Sequence, residues 1–427
     1  MSAKLSNLSI MDTSLSYAQH LDAEDPLQSY RSQFHFPKDD QGNDLIYLCG
    51  NSLGLQPQSA HKAISDEMDR WANHAVEGHF DPESGWIDMH QRIVPLMAPI
   101  VGGKDSEVTL MNTLTVNLHL MMVSFYRPTS KKHKILIDYS AFPSDRYAVD
   151  SQVRFHGFDP STSVIELQPS NGSLVSDEDI IATLASHHEE IALVLLGGVN
   201  YFSGQFYNIP LISAEVKKYN IPLGLDLAHA VGNVPLNLHE DGVDFAVWCT
   251  YKYLNGGPGS IGGAFVHERH HDNKLPRFEG WWGQDRKRRF LLEKQFHPMA
   301  GAEAWQLSCQ PILSLVPLSA SLHIHALAGM EAIRAKSILL SSYLVDLLTN
   351  IDTHKISIVT PLEAERRGAQ ISVAIEGGDK SIFHSMREKG VLPDWREPNI
   401  IRLSPAPLYN SFQDVWRTVE VLKGILL

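Results

Sequence analysis

Between residues 107 and 266, short apolar runs alternate with segments whose apolar positions recur at helical spacing. The stretches 107–111, 135–138, 164–167, 191–196, 223–225, 243–249 and 264–266 read as strands. They are short, rich in β-branched or aromatic residues and bounded by Gly, Pro or Asp, the composition of strands buried on both faces. The stretches 58–75, 113–125, 144–154, 177–186 and 211–219 read as helices. On 113–125, Leu114, Leu118, Met121, Met122 and Phe125 fall on one helical face. Strands and helices alternating in this way need crossover connections, so the expected fold class is α/β, a mostly parallel sheet with helices on both faces.

The pattern changes near residue 326. A long helix is expected from there to about 350, with Leu340, Leu344, Leu347 and Leu348 on one side. Ile371, Val373 and Ile375 then alternate with Ser372, Ala374 and Glu376, a half-buried strand. A helix over 379–389 ended by Gly390, a strand over 400–404 and a closing helix over 411–426 complete a smaller α+β domain. Residues 1–44 are polar with scattered apolar positions, and 45–49 form a short strand. The expected division is an N-terminal segment, 1–59, packing with the small domain, a large domain over 60–325 and the small domain over 326–427.

Composition narrows the class. A net charge of −13 over 427 residues argues against non-specific nucleic-acid binding, which needs a basic surface. The first twenty residues contain no apolar run long enough for a signal or a membrane span, and the three cysteines have no metal-type spacing and cannot all pair. The expected setting is the cytoplasm, with no membrane partner.

Three motifs carry less than their letters promise. Gly50-Asn51-Ser52-Leu53-Gly54 fits the nucleophile elbow of serine hydrolases, but Leu55-Gln56-Pro57 follows where a helix should start. Gly257-Pro258-Gly259-Ser260-Ile261-Gly262 fits the dinucleotide pattern yet runs into a strand. His267-Glu268-Arg269-His270-His271 fits the zincin motif on a segment too short for its helix, and a third ligand would have to come from elsewhere. No metal is expected.

Two strand ends carry more. Asp226 closes the strand 223–225, with His229 three residues on, and Lys252 follows the strand 243–249 after Tyr251. In open α/β sheets ligands sit beyond the carboxyl ends of strands. A Lys and an Asp there suggest pyridoxal phosphate, with Lys252 as the Schiff-base amine and Asp226 against the pyridinium nitrogen. Asn112, Thr113 and Thr115 at a helix N-terminus offer a phosphate seat, and Phe142, just after a strand, is placed to stack on a flat ring.

The chain resembles kynureninases, pyridoxal-phosphate enzymes of fold type I. The resemblance runs through Cys49-Gly50-Asn51-Ser52-Leu53-Gly54-Leu55, Asn112-Thr113-Leu114-Thr115-Val116-Asn117, Ala141-Phe142-Pro143-Ser144-Asp145, Asp226-Leu227-Ala228-His229-Ala230-Val231-Gly232-Asn233, Tyr251-Lys252-Tyr253-Leu254-Asn255, Gly280-Trp281 and Pro407-Leu408-Tyr409-Asn410-Ser411-Phe412. It implies hydrolytic cleavage of L-kynurenine or 3-hydroxy-L-kynurenine to anthranilate or 3-hydroxyanthranilate plus L-alanine, a step of tryptophan breakdown.

By the same resemblance Lys252, Tyr251 and Asp226 are catalytic. Leu114, Thr115, Phe142, Asp145, Gly197, His229, Trp281 and Cys309 join them around the cofactor. Ser52, His79, Trp281, Cys309 and Arg402 face the substrate, Arg402 at its α-carboxylate. Part of the rim comes from a second subunit, so a homodimer with a shared active site is implied. Two positions depart from the animal enzymes: Gly197 stands in place of a Ser in the cofactor pocket, where one hydrogen bond is missing or replaced by backbone, and Cys309 in place of an Asn near the substrate ring, where Cys is the weaker hydrogen-bond partner. The alternative is another fold type I enzyme, an aminotransferase or a cysteine desulfurase, for which Cys309 is the downstream thiol.

Overall fold

The structure is a computed structural model and describes residues 12–272 and 274–427. The first eleven residues of the expected polar N-terminus lie outside the described residues. Seven strands form the central sheet: β1 (Val108–Leu110), β2 (Lys134–Ile137), β3 (Val164–Glu166), β4 (Ile191–Gly197), β5 (Leu223–Asp226), β6 (Phe245–Trp248) and β7 (Gly263–Val266). Their order is β1-β7-β6-β5-β4-β2-β3. β7 runs antiparallel to its neighbours β1 and β6, and the other adjacent pairs are parallel. The expected α/β class, a mostly parallel sheet, is therefore the observed one.

Alternation along the strands builds two cores. On β4, Leu193 and Leu195 pack with Leu118, Met121, Phe125 and Val149, whereas Val194 and Leu196 pack with Ile180, Leu184, Ile212 and Val216. Both faces are covered by helices, so β4 reads as an unbroken apolar run rather than an alternating one. Helices Leu114–Phe125 (α1) and Pro143–Phe155 (α2) cover one face, and Asp177–His187 and Ile209–Lys218 the other.

Gly224 in β5 meets a packing limit: a Cβ there would lie 2.1 Å from Cζ of Phe245. Gly224→Ala is expected to destabilise the protein by about 2–3 kcal/mol, read as a lower thermal midpoint. At Gly424, in the closing helix, a Cβ would meet nothing within 4 Å, so Gly424→Ala should leave the midpoint unchanged or raise it.

Two buried helices escape the periodicity reading because prolines interrupt it. Met89–Val101 contains Pro95 and Pro99, and Ile312–Ala328 contains Pro317. Each is held by apolar burial, through Ile93, Val94 and Met97 in the first and Leu315, Leu318 and Leu322 in the second, which outweighs the lost backbone bonds. The long helix expected from 326 is Met330–Thr349, which holds all four of its leucines. Gly329, at φ 77°, sets its start by ending the preceding helix at Ala328, and the two helices meet at an angle of 82°. Among the described residues no single helix is long and apolar enough to cross a membrane.

The C-terminal sheet has strands β8 (Ile356–Ile358), β9 (Ile371–Ile375), β10 (Asp394–Arg396) and β11 (Ile400–Leu403), ordered β8-β9-β11-β10 and antiparallel throughout. The sequence pattern does not reveal β8 and β10, because three residues each are too few to establish a period. The N-terminal segment is tied to this unit. Ile46–Tyr47 pairs in parallel with Val391–Leu392, and the Asp22 carboxylate accepts the N–H groups of Phe412 and Gln413 at the start of the closing helix Phe412–Leu426. This docking carries Ser52 to β10 and β11.

Candidate active site

The site lies beyond the carboxyl ends of β4, β5 and β6. Asp226, the last residue of β5, is buried and accepts the Ala228 N–H on Oδ1 at 2.8 Å. The turn that follows brings His229 back over the strand end. After β6 the chain passes through Thr250, whose hydroxyl bonds Ser260 Oγ and the Ile261 carbonyl, both at 2.6 Å. That anchor fixes the loop from which Lys252 reaches inward. Its Nζ lies 2.9 Å from Nε2 of His229.

Burial decides the charges here. It pushes His229 well below the ordinary imidazole range, with the Lys252 charge adding to the effect, so the ring is neutral and accepts from the lysine. Burial also raises Asp226 and Asp145, and the Asp226 charge pushes Asp145 further up, well above the usual carboxylate range. Asp145 is raised the further of the two, while the Ala228 N–H and the Lys252 charge favour the anion on Asp226. Asp145 Oδ1 and His229 Nδ1 are buried without a partner. The Tyr251 phenol is raised by burial and by the neighbouring Cys249.

One cleft gathers Leu114, Thr115, Phe142, Asp145, Gly197, Asp226, His229, Tyr251 and Lys252. At its far end α1 begins at Leu114 with Thr113 as its cap, and the Thr113 side chain makes no capping bond. The first N–H groups of the helix have no intrahelical acceptor, so this end is open to an anion. Thr115 Oγ1 lies 2.9 Å from Ser144 Oγ, a pair of hydroxyls on the same rim. Phe142 is half-exposed and meets Tyr201 edge-on at 5.1 Å.

Ser52 and Arg402 form an adjoining cluster. The Arg402 guanidinium is fully buried and donates to the Tyr201 carbonyl at 2.6 Å, to Ser52 Oγ at 3.3 Å and to the Asp394 carboxylate. Ser52 donates to the same carboxylate at 2.9 Å. The hydroxyl therefore serves a carboxylate, and a strand, Gln56–Pro57, follows it where an elbow needs a helix. The Gly257–Gly262 stretch leads directly into β7, as read.

Three expected residues lie elsewhere in the chain. Trp281 is half-exposed, donates from Nε1 to the Arg289 carbonyl at 2.8 Å and packs edge-on against Phe290. His79 packs edge-on against Trp86 at 4.9 Å. Cys309 is exposed, with Sγ 3.5 Å from the Gln310 carbonyl. None of them lines the Lys252 cleft of its own chain.

Other residues went unread. Asp138, just past β2, is buried, takes hydrogen bonds from Tyr207 and Asn200, and is pushed up to about 7 by burial. The strand-end rule that singled out Asp226 applies to it equally. A Cβ at Gly197 would lie 3.3 Å from Asp138 Oδ2. Tyr201, Asp394 and Arg396 carried no local signal; tertiary contact alone brings them here.

Comparison with known proteins settles the family. The chain is 50% identical to the kynureninase of Myxococcus xanthus over 97% of its length and 98% of the relative's. It belongs to the kynureninase family. The kynureninase of Flavobacterium psychrophilum is 47% identical over 98% of this chain and 99% of its own. A kynureninase C-terminal domain model matches residues 333–422, the region of this family member that carries Asp394 and Arg402. Among solved structures, a cysteine desulfurase from Thermococcus onnurineus superposes with a TM-score of 0.77 at 14% identity, covering 93% of this chain and 98% of the other. That likeness is one of fold: the kynureninase-family chain shares the fold type I architecture.

Proposed function

We infer that the chain is a kynureninase, a pyridoxal-phosphate hydrolase that cleaves the Cβ–Cγ bond of L-kynurenine or 3-hydroxy-L-kynurenine and releases L-alanine. The observation that carries the mechanism is a lysine amine, Lys252, 2.9 Å from the buried imidazole of His229 and in one cleft with the carboxyls of Asp226 and Asp145. The residues present fit the cofactor. Lys252 offers the amine for its aldehyde, Asp226 an anion for the ring nitrogen, Phe142 an aromatic face, and the open end of α1 with Thr115, Ser144 and Tyr251 the donors for its phosphate. The unpartnered Asp145 Oδ1 and His229 Nδ1 support a polar ligand between them.

When bound, the cofactor supplies an electron sink for charge developing at the substrate's Cα. Asp226 keeps the sink's ring nitrogen protonated, and protonated Asp145 leaves that anion its charge. Lys252, once its amine is free, takes the Cα proton. Neutral His229 receives a hydrogen bond from that amine without competing for the proton. Arg402 recognises the α-carboxylate with a planar pair of donors, which requires the substrate to share or displace Asp394.

The separate residues Trp281, His79 and Cys309 are read as the contribution of a second copy to each site. His79 and Trp281 pack against Phe80 and Phe290, which with Leu291 and Leu292 are exposed apolar side chains, and this supports a covered surface in a homodimer. Inactive Lys252→Ala and impaired Trp281→Ala chains, mixed and reassociated, are then expected to regain about a quarter of the parental activity, since half the dimers carry one intact site. No recovery on mixing would assign Trp281 to its own chain's site. The expected division at residues 60 and 326 and a reducing, cytoplasmic setting stand on the same footing; three unbridged cysteines support the latter.

Cys309 also bears on the rival reading. Although the residue is exposed, partial desolvation by its neighbours raises its thiol, the opposite of an activated nucleophile, which disfavours a desulfurase. With Cys309 and Gly197 both poor in side-chain hydrogen bonding, discrimination in favour of 3-hydroxykynurenine is expected to be weaker than in the animal enzymes. The ratio of kcat/KM for the two substrates measures it, and a strong 3-hydroxy preference would refute the expectation. The function itself is tested by adding L-kynurenine to the purified enzyme: anthranilate fluorescence with equimolar alanine supports it, and sulfide from cysteine without anthranilate overturns it.

A further inference from the structure

At the opposite end of the sheet, three segments remote in sequence bring metal-ligating atoms together. Glu107 precedes β1, His239 lies in the helical turn Leu238–Asp241 between β5 and β6, and His267 follows β7. Each offers one ligand atom, and the three atoms lie within 4.8 Å of one another. Nδ1 of His239 is 2.9 Å and Nδ1 of His267 3.7 Å from the same oxygen, Oε1 of Glu107. A tetrahedral zinc with bonds of about 2.0–2.1 Å holds its ligand atoms roughly 3.3 Å apart, midway between these separations.

The surroundings already orient the ligands. Glu107 is fully buried, and its carboxylate accepts the Lys104 N–H at 3.0 Å and the Glu268 N–H at 2.8 Å, which fixes its plane. Nε2 of His267 donates to the His239 carbonyl at 3.2 Å, so its Nδ1 carries a lone pair, now facing the Arg269 N–H at 3.2 Å. Nε2 of His239 lies 4.0 Å from the exposed Glu240 carboxylate, beyond hydrogen-bond reach, so a small swing of that side chain would supply an acceptor once Nδ1 binds metal. Metal-bound histidines characteristically have such acceptors on the other ring nitrogen. The two rings are stacked 5.0 Å apart at 21°, presenting both Nδ1 atoms to one side.

We propose that Glu107, His239 and His267 form a binding site for a zinc-type divalent transition metal, separate from the active site, that clips three ends of the central sheet together. Two imidazoles and one carboxylate suit zinc, cobalt or nickel rather than magnesium or calcium, and three protein ligands leave a fourth position for water. Binding moves the His239 proton from Nδ1 to Nε2, so no net proton is released from a neutral ring. The His267–His271 stretch read in the sequence as a failed zincin supplies one ligand here. It forms a 3-10 turn, Glu268–His270, and His271 turns back to the Val266 carbonyl, so the partners come from other strands. Strands β6 and β7 pair Phe245 with Val266 and Trp248 with Gly263, which sets this site and Lys252 at opposite strand ends, at least about 10 Å apart.

The test uses metal-free holoenzyme titrated with Zn²⁺ against a chromophoric chelator, with Mg²⁺ as the control, alongside His239→Gln, His267→Gln and the double variant. The expected result is one zinc per chain in the parent and an affinity about a hundredfold weaker in each single variant. Zinc should also raise the thermal midpoint of the parent but not of the double variant. Kynurenine turnover without zinc should be equal in all four proteins, which shows that the variants are folded. Equal zinc binding by parent and double variant, or no binding by the parent at about 0.1 mM Zn²⁺, an excess that would saturate any site of this kind, would overturn the proposal.

Discussion

Lys252→Ala is expected to lower kcat for kynurenine by about 10⁴-fold or more, because the proposed mechanism uses one amine both as the cofactor's attachment and as the base at Cα. No other described side chain can take its place. His229, 2.9 Å away, is held neutral by burial but lies in the wall of the cleft, and the nearby phenol of Tyr251 is raised and stays protonated. The fold should be intact, since the loop is anchored by Thr250 rather than by Lys252. Equal thermal midpoints for variant and parent, together with loss of anthranilate production, give the expected result. Parental turnover by the variant would remove Lys252 from the mechanism.

Asp226→Asn has the second-largest expected effect, about a 10³-fold loss in kcat, equivalent to roughly 4 kcal/mol of transition-state stabilisation. The asparagine oxygen can still accept the Ala228 N–H, so the substitution removes the charge and little else. Asp145→Asn provides the contrast. Burial and the Asp226 charge already keep Asp145 protonated, so an amide there changes no charge and should cost only about tenfold. Single-turnover kinetics on the two variants separate these outcomes, and equal losses would mean that the proton is shared differently between the carboxyls.

The central sheet was legible because its strands are buried on both faces: apolar runs such as that of β4 leave little ambiguity, and their alternation with amphipathic segments dictates parallel crossovers. Asp226 and Lys252 were legible for the same reason, being polar residues at the ends of such runs. Helices Met89–Val101 and Ile312–Ala328 were not, since their prolines read as breaks while burial of the flanking apolar residues keeps the helix going. The helix Met330–Thr349 was legible from its leucines, but its start was not, because Gly329 at positive φ sets the boundary with the helix before it.

Within the site, Asp226 and Lys252 could be picked out from their own segments, Ser52 and Arg402 only through the family resemblance, and Asp394 not at all. Ser52 and Arg402 meet Asp394 because the N-terminal segment pairs with the C-terminal unit, a contact no local pattern encodes. Glu107, His239 and His267 are a sharper case, since three segments remote in sequence supply them and no local pattern joins them.

Borohydride reduction of the holoenzyme followed by mass mapping of its peptides tests the assigned chemistry most directly. The pyridoxyl group is expected on the peptide that contains Lys252 and on no other. Its appearance on a different lysine, or its absence from every peptide of a protein that still cleaves kynurenine, would contradict the assignment.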